Sequence, residues 1–215
     1  MVPRVAARWA AVRAGLGQFG KNNFIYTAHG SWVSIKIWLV DAALEYDAPQ
    51  ANKSPCPAKC TRCIDACPTH ALEGPFMMNF GRCISHLTYH LKGIPPEPMR
   101  IPMGTWVYGC DACQNVCPLN HGKWDAAEEF PQLDSFARDL TLDRLFRMTQ
   151  PVYEEIIQPR FWYIAKEDLW MWKGNVLRAM ANCGDAAYGP LIAAACADPH
   201  QHVREMALWA GQVTG

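Results

Sequence analysis

The chain has 215 residues, enough to bury a core as one large domain or as two small ones. Hydrophobic residues make up 50% of it, with 9 Trp and 16 Pro, which excludes a disordered or low-complexity protein. Lys plus Arg number 20 and Asp plus Glu also number 20, so no overall charge attracts the chain to nucleic acid or to a membrane surface. Any such contact must be local.

The sequence shows no sign of membrane association or export. The N-terminal arginines are not followed by the apolar segment and cleavage site of a signal peptide. The longest apolar run, residues 32–44, is interrupted by Lys36 and Asp41 and is too short to span a bilayer. Ten cysteines clustered as C-x-x-C, without a signal, indicate metal ligands in a reducing compartment rather than disulfides. We therefore predict a cytoplasmic protein with no membrane contact.

The first fifty residues predict a helix followed by two strands. Residues 5–14 are alanine-rich with spaced arginines, which favours a short helix ended by Gly15. Residues 24–27 are apolar, residues 28–31 have the composition of a turn, and from 32 to 39 Val and Ile alternate with other residues. These patterns predict a β-hairpin formed by residues 24–27 and 32–39.

Eight of the ten cysteines have a spacing typical of bacterial ferredoxins. The runs are Cys56-x3-Cys60-x2-Cys63-x3-Cys67-Pro68, then Cys83, then Cys110-x2-Cys113-x3-Cys117-Pro118. In the ferredoxin run C-x2-C-x2-C-x3-C-P, the fourth cysteine binds the other cluster of the pair. The pattern predicts two [4Fe–4S] clusters, the first held by Cys56, Cys60, Cys63 and Cys117, and the second by Cys67, Cys83, Cys110 and Cys113.

Two other uses of clustered cysteines are less favoured. Zinc sites and disulfide frameworks also use even cysteine counts, but neither calls for two C-x3-C-P tails. The Cys56-x3-Cys60 spacing is one residue longer than usual, so Cys56 is the ligand that the pattern supports least. Cys183 and Cys196 have no partner spacing, and we predict that both are buried structural thiols.

Helical patterning begins after the last cysteine run. Apolar residues recur at helical intervals over 140–148, behind a cap at Asp139 or Thr141. Further helices are predicted over 169–183, 188–197 and 203–213, separated by Gly-Asp and Asp-Pro turns. Paired helices of this length are typical of a HEAT-type repeat.

Several motifs are more specific than the cysteine spacing. They are Ala14-Gly15-Leu16-Gly17-x-x-Gly20-Lys21-Asn22, Gly30-Ser31-Trp32, residues 60–69, residues 82–88, Met103-Gly104, residues 108–118 and residues 175–185. Together they resemble the carboxy-terminal two-thirds of the epoxyqueuosine reductases, enzymes of queuosine tRNA modification. Most of the family's amino-terminal corrinoid region, with the acidic residue that would protonate the substrate, has no counterpart here, so no catalytic residue is predicted.

The resemblance implies a cobalamin-dependent oxidoreductase. In that family two [4Fe–4S] clusters pass electrons to a corrinoid, whose reduced cobalt removes the epoxide oxygen of epoxyqueuosine in a tRNA anticodon. The implied partners are tRNA or another reducible substrate, an external electron donor such as ferredoxin or flavodoxin, and a chain that supplies the missing corrinoid domain. The implied cofactor-binding residues are Gly15, Gly17, Gly20, Lys21 and Asn22.

We therefore predict an α+β fold in three parts. Residues 1–50 form a hairpin-and-helix remnant of a corrinoid-binding domain, 51–122 a dicluster ferredoxin-like domain, and 123–215 a HEAT-like helical tail. The alternative function is a non-catalytic, dicluster ferredoxin-like electron carrier that serves a separate corrinoid enzyme, including reductive-dehalogenase-like systems. A third is a structural module whose clusters only stabilise the fold. Corrinoid binding separates the first interpretation from the others.

The glycine motif allows other interpretations. Gly15-x-Gly17-x-x-Gly20 matches the dinucleotide fingerprint, with Asp41 near the position of a ribose ligand. That fingerprint follows a strand and opens a helix, whereas here a helix is predicted before it and strands after it. A turn that brings backbone N–H groups to a corrinoid or phosphate and a plain helix-to-strand turn both stay open.

Two weaker signals come from histidines and basic residues. His86 and His90 follow Cys83 at helical spacing, so a role beside the second cluster and a simply packed surface are the alternatives. In the tail, phosphate contact and a solvated helix face are the alternatives, and the zero net charge favours the solvated face. The tail residues concerned are Lys173, Arg178, His202 and Arg204.

Overall fold

The structure, a computed structural model, describes residues 6–123 and 133–215. Its α-helices are α1 (Ala7–Arg13), α2 (Arg62–Asp65), α3 (Ile84–Tyr89), α4 (Glu97–Arg100), α5 (Ala112–Asn115), α6 (Leu133–Asp139), α7 (Leu142–Arg147), α8 (Gln150–Val152), α9 (Leu169–Cys183), α10 (Gly189–Ala195) and α11 (Gln201–Thr214). Its strands are β1 (Gln18–Phe19), β2 (Ile25–Tyr26), β3 (Leu72–Gly74) and β4 (Met77–Met78). Single 3-10 turns span Phe80–Arg82, Pro118–Asn120, Lys166–Asp168 and Ala186–Tyr188, and a π-helical turn spans Tyr153–Ile157.

The chain divides into two compact units. The first comprises Met1–Asn79 and Asp111–Ala127, and the second comprises Phe80–Cys110 and Glu128–Gly215. The cysteine region therefore contributes to both: Cys83 and Cys110 belong to the second unit and the other predicted ligands to the first. The three-part division of the sequence is a different partition and stays a prediction.

Helix α1 confirms the predicted N-terminal helix. Gly15 ends it with a φ of +75°, a conformation that favours glycine, and the N–H of Leu16 returns to the carbonyl of Ala11 at 3.0 Å. Val12 is buried on the inner face of α1, against Phe19 of β1 and Ile25 of β2. This small apolar core fixes the loop between α1 and β2.

The predicted hairpin is wrong in its second strand. β2 lies within the predicted strand 24–27, but it pairs antiparallel with β1, so that Phe19 faces Ile25. Residues 32–39 are irregular. The reason lies at the turn: Thr27 and Gly30 bond to each other through their backbones at 2.9 and 3.1 Å, and the N–H of Ser31 donates to the Asn120 side chain at 2.8 Å. The chain therefore leaves the edge of β2 at Ser31.

A second small hairpin follows the first cysteine run. β3 and β4 pair antiparallel, with Leu72 opposite Met78 and an irregularity before Gly74. α2, which carries Cys63, packs against β3 and against α5, which carries Cys113. The two short helices that follow the cysteine loops are thus neighbours within the first unit.

The second unit is helical, and α9 lies at the centre of its core. Trp172, Val176 and Leu177 are buried on α9, which packs against α7 and α11. The Trp172 ring lies 5.3 Å from Phe161 and 5.8 Å from Tyr108, measured between ring centroids. The core therefore joins α9 to the segments around residues 108 and 161.

The helices of the tail agree with the sequence pattern. α9 has the predicted bounds and ends at Gly184, whose φ is +70°. The side chain of Thr141 caps α7 by accepting the N–H of Arg144 at 3.4 Å. α10 and α11 lie within one to two residues of their predicted ranges. Within 6–123 and 133–215, no helix is both long and apolar enough to cross a membrane.

Three side chains of the tail depart from prediction. Arg178, placed on a solvated or phosphate-binding face, is fully buried, because α9 is covered on nearly all sides by the core. Cys183 and Cys196, predicted to be buried, are exposed. Cys183 is the last residue of α9 and Cys196 follows the end of α10, where the helices leave the core.

Candidate metal centre

Four cysteines of the first unit line one small cavity. They are Cys56, Cys60, Cys63 and Cys117, the set that the spacing assigns to the first cluster. Burial raises the pKa of the Cys63 thiol, and the charges of Cys56 and Cys117 raise that pKa further. Thiolates gathered this closely need a cationic group to neutralise them, and the irons of a [4Fe–4S] cluster provide it. The donor set therefore fits the predicted cluster.

Lys21 holds the loop that carries the first two of these cysteines. Its backbone N–H donates to the Cys56 sulfur at 3.3 Å. Its ammonium donates to the carbonyls of Pro57, Ala58 and Cys60 at 3.0, 2.8 and 2.8 Å. These bonds fix the one-residue-longer loop between Cys56 and Cys60, and a hydrogen bond to sulfur is one of the factors that set a cluster's potential.

Tyr26 and Asn22 line the same cavity from the side of β2. The Tyr26 hydroxyl contacts the Cys117 thiol and accepts from Asn22 Nδ2 at 3.0 Å. Burial raises the pKa of Tyr26, and the contact with Cys117 raises it further. Asn22 is buried, and its amide lies 3.4 Å from the Cys113 carbonyl. No sequence pattern marks Tyr26 as a site residue, because only the β1–β2 pairing brings its ring to a cysteine.

The glycines of the motif allow the loop to pack closely on β2. A Cβ on Gly17 would lie 2.7 Å from the carbonyl oxygen of Tyr26, and one on Gly20 would lie 2.3 Å from the Tyr26 ring. α1 precedes the motif and β2 follows it, which is not the strand–loop–helix context of a dinucleotide site. Gly15 ends α1. The geometry therefore supports a close-packed turn beside the cysteine cavity.

A buried polar cluster joins the Gly30-Ser31 motif to the last cysteine run. The Ser31 hydroxyl donates to Gln114 Oε1 at 2.8 Å and accepts from Asn120 Nδ2 at 2.8 Å. Asn120 Nδ2 also donates to the Gln114 carbonyl at 3.0 Å. A Cβ on Gly30 would lie 2.7 Å from Asn120 Oδ1. These hydrogen bonds account for the Gly30-Ser31 motif, since they position the chain around Cys117.

A larger cavity adjoins the cysteine cavity within the first unit. Its volume is about 1190 Å³, and Cys117 lines both cavities. Trp32, Arg62 and His121 are among the other lining residues. A molecule bound in the larger cavity would therefore lie beside Cys117, one of the cysteines predicted to hold the first cluster.

The second predicted set takes cysteines from both units and rests on spacing. In the first unit, the Cys67 sulfur accepts the N–H of Ala71 at 3.2 Å. In the second, Cys83 immediately precedes α3, and Cys110 packs against the apolar core formed by Ile84, Leu87 and Met103. His86 and His90 lie on α3 and at its end, with ring centroids 6.0 Å apart. Burial lowers the pKa of His90, and His86 lowers it further.

Among the described residues, no three His, Cys, Asp or Glu side chains are placed to hold a single metal ion.

Residues 56–120 match the family model of the 4Fe-4S double cluster binding domain. This match confirms the predicted pair of [4Fe–4S] clusters. The curated epoxyqueuosine reductase of Bacillus subtilis (strain 168) is 35% identical over 212 residues, which cover 94% of this chain and 52% of the relative. This chain is homologous to the epoxyqueuosine reductases.

Other relatives give the same result. The epoxyqueuosine reductase of Vibrio cholerae is 33% identical over 87% of this chain and 49% of its own length. The solved structure of the Bacillus subtilis epoxyqueuosine reductase has a TM-score of 0.79 at 32% identity, covering 98% of this chain and 55% of that one. An epoxyqueuosine reductase crystallised with a modified tRNA-Tyr stem loop has a TM-score of 0.77, also at 32% identity and the same coverage. The chain spans about half the length of these epoxyqueuosine reductases.

Proposed function

We propose that this chain passes single electrons through two [4Fe–4S] clusters to a corrinoid, as part of an epoxyqueuosine reductase that acts on tRNA in the cytoplasm. The observation that carries the proposal is the cavity shared by Cys56, Cys60, Cys63 and Cys117 with Lys21 and Asn22 of the glycine motif. The relatives are epoxyqueuosine reductases, which favours the enzyme over the alternative of a stand-alone electron carrier.

The reaction sets what the clusters must deliver. Conversion of epoxyqueuosine to queuosine releases the epoxide oxygen as water and consumes two electrons and two protons. Each [4Fe–4S] cluster exchanges one electron at a time, so two clusters match a two-electron reduction. A bound corrinoid would supply the low-valent metal centre that this reduction needs. A donor such as ferredoxin or flavodoxin would refill the clusters.

Residues of this chain have distinct proposed parts in that transfer. Cys56, Cys60, Cys63 and Cys117 hold the first cluster, and on spacing Cys67, Cys83, Cys110 and Cys113 hold the second. Lys21 and Asn22 bond to the loops that carry the cysteines. Their proposed effect on a bound corrinoid is therefore indirect and passes through the first cluster. The glycines at 15, 17 and 20 keep this loop close to β2.

The larger cavity is the proposed place where a corrinoid reaches this chain. Three features support it: the volume of about 1190 Å³, the aromatic side chain of Trp32, and Cys117 in its wall. An electron leaving the first cluster through Cys117 would enter a ligand in this cavity directly.

An exposed apolar segment supports a further polypeptide partner. Trp38 is 83% exposed and Leu39 78% exposed, and Tyr46 is also exposed. Residues 33–49 form no backbone–backbone hydrogen bond within 6–123 and 133–215. Exposed apolar side chains in a row mark an interaction surface. We propose that residues 32–46 are covered by a polypeptide segment that completes the corrinoid domain.

Changing Trp38 and Leu39 to serine tests this surface. We expect the double variant to bind less of an apolar fluorescent dye than the parent protein, because two exposed apolar side chains are removed. Iron content should stay the same, since neither residue lines the cysteine cavity. Equal dye binding by both proteins would show that these side chains are already covered.

The tail is proposed to take part in holding tRNA. α9, α10 and α11 are the proposed HEAT-like segment of a 123–215 domain, beside domains 1–50 and 51–122. Support comes from the relative that was crystallised with a tRNA stem loop. Arg178 is excluded from direct phosphate contact, because it is buried.

Anaerobic purification with iron and sulfide analysis tests the proposed function. We expect about eight irons per chain, the sum of two four-iron clusters. Adding cob(II)alamin should change the visible spectrum, and Trp32→Ala should weaken that change while leaving iron content unaltered. Full iron without any response to cobalamin would contradict the corrinoid proposal and support a stand-alone carrier.

A further inference from the structure

One face of α9 carries three polar side chains directed at the second unit's cysteine segments. Asn175, Arg178 and Asn182 are three and four residues apart, so they share a face of the helix. Asn175 and Arg178 are buried. Each donates to backbone carbonyls of residues 88–106 rather than to a side chain. α9 therefore holds backbone that the apolar core alone would not orient.

Burying the Arg178 guanidinium costs free energy, which favours a positioning role for its hydrogen bonds. The guanidinium donates to the carbonyls of Gly104 and Trp106. Burial lowers the pKa of Arg178 to about 10, and its Nε has no hydrogen-bond partner among the described residues. A buried charge without a carboxylate is expensive compared with an apolar residue of similar size. In exchange, the carbonyls of Gly104 and Trp106, shortly before Cys110, are held in place.

Thr88 joins the segments of the two cysteines. Its hydroxyl donates to the carbonyl of Ile84, the residue after Cys83, at 2.9 Å. The same hydroxyl accepts the N–H of Gly109, the residue before Cys110, at 3.0 Å. The Thr88 carbonyl accepts from Asn175 Nδ2 at 2.7 Å. Thr88 is fully buried, so water cannot replace these bonds.

We propose that Thr88, Asn175 and Arg178 are positioning residues that fix Cys83 and Cys110 relative to each other, and that they thereby set the reduction potential of the second [4Fe–4S] cluster. The proposal rests on the proposed function only in taking Cys83 and Cys110 as ligands of that cluster. Ligand orientation and hydrogen bonding near the sulfurs are the means by which a protein tunes such a potential.

Thr88→Val is the sharpest test, because valine keeps the shape of threonine and removes only the hydroxyl. An EPR-monitored redox titration gives the midpoint potential of each cluster in the anaerobic protein, and Cys83→Ala identifies the signal of the second cluster by its loss. We expect Thr88→Val to shift the potential of the second cluster and to leave that of the first unchanged. Thr88→Ser, which retains the hydroxyl, should restore the parent value.

Thr214→Val is the matched control. Thr214 makes the same bond to a carbonyl four residues earlier, at 3.0 Å, but lies at the end of α11. It should alter neither potential. Where Thr88→Val loses iron from both clusters, Asn175→Ala decides by the same comparison.

Two results would overturn the proposal. One is an unchanged second potential in both Thr88→Val and Asn175→Ala. The other is a shift of both clusters together in proportion to the loss of thermal stability, which indicates a general structural effect. The titration needs no corrinoid, so a protein with two clusters but no cobalamin response would contradict the proposed function without affecting this comparison.

Discussion

Replacing Cys63 with alanine is expected to remove the first cluster and to leave about four of eight irons per chain. Cys63, on α2, is the buried member of the four thiols that line the cavity, and burial and the charges of Cys56 and Cys117 raise its pKa. Three remaining thiolates cannot saturate a four-iron cluster. Because cluster binding and folding are coupled, the melting temperature should also fall strongly.

Iron and sulfide analysis with thermal denaturation under anaerobic conditions measures both effects. Cys183→Ala and Cys196→Ala are the controls, since both thiols are exposed and lie outside the ligand sets. They should retain full iron and normal stability. A Cys63→Ala protein with full iron content would show that the first cluster is held by a different set of ligands.

Gly17→Ala is expected to destabilise the iron-loaded protein by about 1–3 kcal/mol, the usual cost of overpacking. The added Cβ would lie 2.6 Å from the Ile25 side chain and 2.7 Å from the Tyr26 carbonyl oxygen, and backbone cannot move aside cheaply. The strain would fall on β2, which places Tyr26 beside Cys117. Denaturant unfolding of the anaerobic protein measures the loss.

Gly211→Ala provides the opposite control. Gly211 lies on the exposed side of α11, and apart from its chain neighbours and the helix's own backbone, a Cβ there would meet no atom within 4 Å among the described residues. The change should stabilise the protein by about 0.5–1 kcal/mol, because alanine favours helix. Equal stability of Gly17→Ala and the parent would contradict the close-packed turn and favour a ligand-facing role for the motif.

The two cysteine runs of the double-cluster domain could be predicted because each run is local. Cys60, Cys63 and Cys67 are close neighbours in the sequence, so their spacing predicts which sulfurs bind one cluster and which binds the other. Even so, the spacing supported Cys56 least, and the cavity now includes it. Lys21 holds the longer loop between Cys56 and Cys60 through hydrogen bonds that no sequence pattern predicts.

The hairpin error has a different origin. The alternation of Val33, Ile35 and Ile37 is a valid strand pattern, but a strand needs a partner edge. Among the described residues, β1 is the strand that pairs with β2. The N–H of Ser31 donates to the Asn120 side chain, which directs residues 32–39 away from β2. The alternation of residues shows that a segment is able to form a strand, whereas residues far away in the sequence determine which strand it pairs with.

By itself, the sequence determined the two cluster motifs, the bounds of α9 and the caps of α1 and α7, because each depends on residues within a few positions of one another. Only the tertiary structure decided that Tyr26 meets Cys117, that Arg178 is buried and that Thr88 joins the segments of Cys83 and Cys110. These contacts join residues far apart in the chain, and burial depends on the packing of whole helices. A buried guanidinium and a solvated one are therefore identical in sequence.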